Sequence, residues 1–114
     1  MKVLSVYDGD TCTVAGWIPG GARKFKVRLN GIDTPEMRGG TKKEKDAAVK
    51  ARDALSGRIL GKIVTLEDVG TDKYGRVLAT IKCGGEDICQ WMIDEGHAKP
   101  YFGGTKEKFA PDRA

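Results

Sequence analysis

Apolar and polar residues alternate along much of the first half of the chain, and a period of two is typical of strands that bury one face. In the clearest segment Phe25, Val27 and Leu29 share one face, and the other face is polar and basic, with Lys26, Arg28 and Asn30. Similar runs separated by turn residues predict five strands: Lys2–Tyr7, Thr11–Ala15, Arg23–Asn30, Lys62–Val69 and Arg76–Cys83.

Helical spacing replaces the alternation in the middle of the chain. Four apolar residues fall on one face there: Ala48, Ala51, Leu55 and Ile59. This periodicity predicts a helix over about residues 43–58, and the Thr41–Glu44 pattern is a capping box at its start. Asp87 can cap a second, short helix from Ile88 to Glu95.

The order of the elements is three strands, a helix, two strands and a short helix. This order predicts an OB-fold, a five-stranded mixed β-barrel with its main helix between strands 3 and 4. It also fits an open α+β sheet, and the pattern alone does not decide between the two. The chain has 114 residues, which favours one domain over residues 1–102 followed by a polar tail over residues 103–114.

Composition adds weaker constraints. The net charge of +4 and the pI near 9.0 favour an anionic partner. No apolar run is long enough to cross a membrane and no apolar leader follows Met1, so we expect a cytoplasmic protein or a secreted one with its leader removed. The three cysteines lack paired spacing, which predicts small buried residues rather than disulfides or a zinc site with His97. We expect a monomer.

Candidate chemistry is concentrated after the third strand. Arg28 lies near the end of that strand, and Gly31 then interrupts it. The segment Asp33–Glu36 follows, in which Pro35 stiffens the chain between two carboxylates. A guanidinium, oxygen ligands for a hard cation and a possible general base within nine residues suit phosphoryl chemistry. The alternative for this segment is an ordinary strand followed by an acidic turn.

Four short motifs together are more specific than any one of them. They are Asp10-Thr11, Arg28, Asp33-Thr34-Pro35-Glu36 and Asp72-Lys73-Tyr74-Gly75-Arg76. Their order and approximate spacing resemble those of the staphylococcal nuclease (thermonuclease) family, and the resemblance extends from about Val3 to Lys99. The chain looks like a short phage- or bacterial-type homologue in which the last helix of the family is missing or shortened.

The resemblance implies a calcium-dependent endonuclease that hydrolyses DNA and RNA to 5′-hydroxyl and 3′-phosphate ends. It implies Ca²⁺ ligands at the Asp10 and Asp33 carboxylates and the Thr34 carbonyl, with Asp8 as a structural acid nearby. It assigns catalysis to three residues: Arg28, Glu36 and Arg76. It assigns substrate binding to another three: Lys73, Tyr74 and Tyr101.

The main alternative is a non-catalytic OB module that binds nucleic acid. Degenerate nuclease domains of that kind lack the metal ligands or the arginines, whereas this chain keeps both sets. The basic stretch Arg38–Lys62 is either a surface that follows a phosphate backbone or a solvated helix face. We expect both tryptophans, Trp17 and Trp91, to lie in the core.

Overall fold

Strands and turns occupy both ends of the described chain, with one long helix between them. A computed structural model describes residues 1–35 and 41–101, apart from the side chain of Ile18. The strands are β1 Lys2–Asp8, β2 Thr11–Ile18, β3 Gly21–Leu29, β4 Ile32–Asp33, β5 Thr65–Thr71, β6 Val77–Cys83, β7 Glu86–Asp87 and β8 Lys99–Pro100. The helices are α1 Lys42–Ile59 and α2 Ile88–Asp94.

The main sheet is mixed, with the strand order β1-β2-β3-β6-β5. Its pairs are antiparallel except for β3 and β6, which run parallel with Arg28 opposite Leu78. The short β7 pairs with β6, and β4 pairs with β8 in a separate two-stranded sheet. The parallel β3–β6 contact matters for function because it brings the Arg28 and Arg76 motifs side by side.

A closed five-stranded barrel was predicted, and the described residues form an open mixed sheet instead. β1 and β5 are the two edges of this sheet. The start of β1 hydrogen-bonds to the segment just before β5. There the Val3 amide donates to the Lys62 carbonyl at 3.0 Å, and Lys2 forms an isolated bridge with Ile63. Because these residues bond to the chain around Met1 and Val3 rather than to β6, β5 begins at Thr65 and not at Lys62 as predicted.

The predicted main helix is confirmed. The Thr41 hydroxyl accepts a hydrogen bond from the Glu44 amide at 3.2 Å, and the Glu44 carboxylate accepts one from the Thr41 amide at 3.2 Å, so the capping box forms as expected. The apolar face of α1 is fully buried and packs against β1. The large side chains of the core come from both layers: Val3, Val14, Val27, Leu29, Ile32, Leu55, Ile59, Ile81, Ile88 and Met92.

Some expectations about single residues were wrong. β2 runs three residues beyond its predicted end, so Trp17 lies within a strand, and its side chain is 84% exposed instead of lying in the core. Trp91 packs against the core cluster as expected.

The proposed boundary between domain and tail at residue 103 lies outside the described residues. Within the described ranges, neither helix has the length and apolarity that crossing a membrane requires.

Candidate active site

The end of β3 and the turn between β1 and β2 lie against each other. The turn contains Asp8, Gly9 and Asp10, and the Asp10 carbonyl accepts a hydrogen bond from the Leu29 amide at 2.8 Å. Val27 and Leu29 are fully buried in the core, so Arg28, between them, faces the opposite side of the sheet. The alternation of β3 therefore directs the guanidinium toward the acidic turn.

Arg28 lies between two carboxylates that the sequence separates by 23 positions. Its Nη2 atom is 3.4 Å from Oδ2 of Asp10 and 3.7 Å from Oδ1 of Asp33, and Nη1 donates to the Leu29 carbonyl at 2.7 Å. All three charged side chains are at most 13% exposed. Because water is largely excluded, these charges interact more strongly than they would at an open surface.

Asp33 reaches this position through a tight turn. Gly31 has a φ of 79°, a conformation that favours glycine, and it allows the chain to reverse directly after β3. Asp33 then lies in β4, where it pairs with Lys99 of β8. The next residue, Thr34, is 4% exposed, and its amide donates to Oδ2 of Asp10 at 3.3 Å, so the two acidic segments are directly joined.

Negative charge accumulates on the other side of Asp10. Asp8 accepts a hydrogen bond from the Asp10 amide at 3.1 Å. Burial, followed by repulsion from the Asp10 carboxylate, raises the pKa of Asp8 to about 6. The Asp10 carboxylate therefore opposes the ionisation of Asp8, an arrangement that favours a cation.

Gly9 is required at the centre of this turn by close packing. A β-carbon at Gly9 would lie 2.8 Å from Cβ of Ala51 in α1 and 3.0 Å from the Thr34 side chain. The helix, the first acidic turn and the second acidic turn thus meet at a residue without a side chain. The long helix supports the site from behind.

A second cationic group lies at the start of β6, in the hairpin that follows β5. Asp72 organises this hairpin: one of its oxygens, Oδ1, accepts from the amides of Tyr74 and Arg76, both at 2.9 Å. Its other oxygen lies 2.6 Å from Nε of Arg76. Burial raises the pKa of Asp72, but these hydrogen bonds outweigh it and hold the pKa below its ordinary value.

The sequence did not identify the role of Asp72 as a support for Arg76. An aspartate four residues before an arginine, across a turn that contains glycine, is a signal that could have found it. In the parallel register Val77 pairs with Val27, and Leu78 pairs with Arg28. Arg76 lies two positions before Leu78, so Arg76 and Arg28 share one face of the sheet. Strand geometry puts their α-carbons about 8 Å apart.

The other predicted substrate-binding residues lie around this pair. Tyr74 is 72% exposed, and its ring has the Lys73 ammonium 5.4 Å and the Arg76 guanidinium 5.5 Å from its centroid. Tyr101 follows β8, and its amide donates to the Gly31 carbonyl at 2.8 Å, which holds it beside the turn that carries Asp33.

The structure thus brings together Arg28, Asp10, Asp33 and Thr34. It holds Arg76 with Lys73 and Tyr74 in the neighbouring hairpin, where the ion-pair partner of Arg76 is Asp72. Glu36, the predicted base, lies outside the described residues. Within residues 1–35 and 41–101, no group of three or more acidic, histidine or cysteine side chains is arranged as a metal site.

The groups that are present fit a hard cation. Two buried carboxylates with an adjacent backbone carbonyl offer only oxygen ligands, which Ca²⁺ and Mg²⁺ prefer and which suit zinc less well. This set would leave coordination positions for water and for a phosphate oxygen. In the acidic turn the Asp10 carboxylate opposes the ionisation of Asp8, which supplies an electrostatic reason for a cation to bind there.

The three cysteines do not contribute to the site as ligands. All three are free and buried, as expected, and Cys89 lies in the predicted short helix α2. Burial raises the pKa of Cys12 to about 12 and that of Cys89 to about 11, so both thiols stay protonated at neutral pH.

Sequence comparisons agree with this geometry. A family profile described as "Staphylococcal nuclease homologue" matches residues 26–113. The "Probable staphylococcal-like nuclease CAN4" of Oryza sativa subsp. japonica is 42% identical over 77 residues, which is 68% of this chain and 14% of that protein. An "Uncharacterized endonuclease" of Haemophilus influenzae is 33% identical over 100 residues, covering 88% of this chain and 51% of the relative.

A further "Uncharacterized endonuclease", from Escherichia coli, is 31% identical over 101 residues, which cover 88% of this chain and 60% of that protein. The chain therefore spans between about one seventh and three fifths of the length of these relatives. The family match begins before Arg28 and includes the segments of Asp33 and Arg76.

Proposed function

The chain belongs to the staphylococcal nuclease family, and on that premise we propose that it is an endonuclease that hydrolyses phosphodiester bonds in DNA and RNA. We propose further that the reaction depends on Ca²⁺ and leaves 5′-hydroxyl and 3′-phosphate ends. The observation that carries the proposal is the position of Arg28, whose guanidinium lies between the buried carboxylates of Asp10 and Asp33.

The charge distribution explains why this arrangement suits phosphodiester hydrolysis. Negative charge develops on the phosphoryl oxygens as the bond to the leaving oxygen breaks, and preorganised positive groups stabilise that charge. A cation bound by Asp10, Asp33 and the Thr34 carbonyl would neutralise a phosphate oxygen and orient water. Arg28 is held beside this position, with Nη2 against both carboxylates and Nη1 on the Leu29 carbonyl. A phosphate would take over these donors as the cation takes over the carboxylates.

The two arginines have complementary tasks in this proposal. Each guanidinium can donate two parallel hydrogen bonds to phosphate oxygens, which a lysine ammonium cannot reproduce. Arg76, held at Nε by Asp72, keeps its terminal nitrogens for substrate. Lys73 and Tyr74 would bind a neighbouring phosphate, and Tyr101 would contact a base or sugar beside the Asp33 turn.

Glu36 completes the proposed set as the general base, or as the residue that positions the attacking water. This assignment rests on its sequence position, three residues after Asp33 and directly after Pro35. A carboxylate is suited to accept the proton from water as the oxygen attacks phosphorus.

The direct test is cleavage of a single-stranded DNA oligonucleotide and of its RNA counterpart with Ca²⁺, with Mg²⁺ or with chelator. We expect cutting with Ca²⁺, none with chelator, and losses of about 100-fold or more in Glu36→Gln and Arg76→Ala. Arg52→Ala is the matched control, because Arg52 pairs with the adjacent Asp53 on the exposed face of α1. Mass spectrometry of the products identifies the ends.

Two results would contradict the proposal. Binding of the oligonucleotide without cutting, equal in the wild type and in both site variants, would leave a non-catalytic OB module. Equal cutting with chelator and with Ca²⁺ would remove the metal from the mechanism. We also propose a monomer, which sedimentation of the same samples tests.

A further inference from the structure

The outer face of the β2–β3 hairpin continues outward from the candidate active site. In the antiparallel register, Thr11 is opposite Arg28, Thr13 is opposite Lys26, and Ala15 is opposite Lys24. Directly opposed residues share a face, so Arg28, Lys26 and Lys24 form a row with a repeat of about 7 Å. The same face continues to Trp17, which is opposite Ala22 next to the hairpin turn.

Of the three cations in this row, Arg28 is compensated by Asp10 and Asp33, and among the described residues the two lysines are not compensated. Lys24 and Lys26 are exposed, and neither makes an ion pair with any residue in the described ranges. The neighbouring strand adds Lys2, which is opposite Ala15, and Ser5, which is opposite Thr13. Positive charge therefore accumulates from Lys26 toward the tip of the hairpin, and the rows of Lys24 and Lys26 contain no acidic residue.

An aromatic ring lies at the far end of the row. Trp17 is 84% exposed, the largest exposed fraction among the large hydrophobic side chains of the described residues. Its position in a regular strand, paired across to Ala22, holds the ring on the outer face without a large neighbour opposite. Exposed indole surface next to cations is a feature of surfaces that stack nucleic-acid bases.

The opposite face of the same strand provides an internal comparison. Arg23 is also exposed, yet it is opposite Gly16, so it lies on the face shared with Phe25 and Val27. The hairpin thus carries cations on both faces near its tip. Only the cations of the outer face form a row that leads to Arg28.

We propose that the outer face of the β2–β3 hairpin, with Lys26, Lys24 and Trp17, binds a single polynucleotide strand that leads away from the scissile phosphate. This inference rests on the proposed function for its starting point at Arg28. The lysines contact successive phosphates, and Trp17 stacks on an unpaired base.

The dimensions and the chemistry both favour a single strand. Arg28 and Ala22 are six positions apart, so the row is about 20 Å long, enough for several nucleotides and compatible with the 4–16 nucleotides that one OB-fold covers. Stacking on Trp17 requires the face of a base, which a duplex hides between its neighbours. The phosphates and bases involved are common to DNA and RNA, so the surface takes single strands of either.

Binding without cleavage tests the inference. The anisotropy of fluorescent dT12 and rU12 is measured in chelator, over a series of salt concentrations, for the wild type, Lys24→Ala/Lys26→Ala, Trp17→Ala, Trp17→Phe and the control Arg23→Ala. We expect the double lysine variant to reduce the slope of log K against log salt by about 1.4, or 0.7 for each phosphate contact. Arg23→Ala should keep the wild-type slope.

Loss of the indole should weaken binding about 5- to 100-fold, which corresponds to the stacking of one base, and Trp17→Phe should retain part of that affinity. The affinity of Trp17→Ala for the same oligonucleotide annealed to its complement should fall much less. The inference would be overturned if the lysine variant kept the wild-type salt slope and Trp17→Ala kept the wild-type affinity. It would also be overturned if Trp17→Ala weakened binding of duplex and of single strand equally. Thermal melts of each variant establish that it folds.

Failure of this inference is distinguishable from failure of the proposed nuclease activity. If the wild type does not cut but the lysine and tryptophan variants bind more weakly, the surface stands and the catalytic proposal falls. If the wild type cuts and these variants bind as tightly as it does, the catalytic proposal stands and the surface is refuted.

Discussion

Removing the Asp72 carboxylate should reduce catalysis by loosening Arg76 rather than by weakening substrate binding. Asp72 accepts two amide hydrogen bonds at 2.9 Å and contacts Nε of Arg76 at 2.6 Å. A hydrogen bond to a charged group contributes about 1.5–3 kcal/mol when it is well shielded. Because the Arg76 side chain is 32% exposed, solvent screens this hairpin, and we expect Asp72→Ala to cost about 1–2 kcal/mol of unfolding free energy.

The catalytic effect has an upper limit set by Arg76 itself. Removal of a preorganised transition-state donor costs about 100- to 1000-fold in kcat. Asp72→Ala leaves the guanidinium in place but frees it to rotate, so we expect a smaller fall of about tenfold in kcat. Substrate affinity measured in chelator should stay constant or increase, since a negative charge beside the guanidinium has been removed.

A double-mutant cycle distinguishes positioning from a general loss of structure. In an Arg76→Ala background, Asp72→Ala should change kcat by less than about twofold, because the residue through which Asp72 acts is already absent. Asp53→Ala is the matched control: its carboxylate also pairs with an arginine, but on the exposed surface of α1. The reasoning is wrong if Asp72→Ala retains the wild-type kcat. It is also wrong if the loss of activation free energy in the double variant equals the sum of the losses in Asp72→Ala and Arg76→Ala.

Acid should have the same effect as the substitution. The pKa of Asp72 is lowered in the folded protein, so its contribution to stability is fully present above the ordinary carboxyl value of about 4. That contribution is lost as the pH falls through the lower folded value. Unfolding free energies of the wild type and of Asp72→Ala, measured between pH 7 and pH 2.5, should therefore converge at the acid end.

Three further predictions follow from packing and burial. Gly9→Ala places a β-carbon 2.8 Å from α1 and should lower the unfolding free energy in urea by about 1–3 kcal/mol, whereas Gly57→Ala, in open space within the helix, should raise it by about 0.5–1 kcal/mol. The Cys12 and Cys89 thiols are buried and have raised pKa values, so they should not react with iodoacetamide at pH 8 until urea unfolds the chain. Mass spectrometry measures the labelling, and fast labelling of the native protein would contradict this prediction. Thr41→Ala removes the helix cap and should lower stability by about 1 kcal/mol in the same urea titration, with an unchanged midpoint as the contrary result.

Local chemistry in the sequence predicted most of the elements well. The alternation of β3 and the helical spacing of α1 each involve neighbouring residues, so their patterns identified the ends of both elements within two positions. The capping box at Thr41 formed because both of its partners lie within one turn of helix. These features need no knowledge of the rest of the fold.

Long-range features were beyond the pattern. β4 and β8 have two residues each and pair across 66 to 68 positions, and no local signal marks such short strands. Trp17 was misassigned because an apolar residue in an alternating segment looks the same in sequence whether its face is covered or open. The proximity of Asp10 and Asp33 was implied by family resemblance, since no periodicity relates residues 23 positions apart. Their ion pairs with Arg28 were not predicted.

The central claim is that the Arg28 guanidinium, held between Asp10 and Asp33, acts on a phosphodiester. The most direct measurement is single-turnover cleavage of a labelled single-stranded oligonucleotide, with saturating Ca²⁺, by the wild type and by Arg28→Lys. The variant keeps a positive charge but loses the planar fork that binds two phosphate oxygens. We predict a fall of about 100-fold or more in a variant that still unfolds cooperatively; cleavage by Arg28→Lys at the wild-type rate would contradict the account.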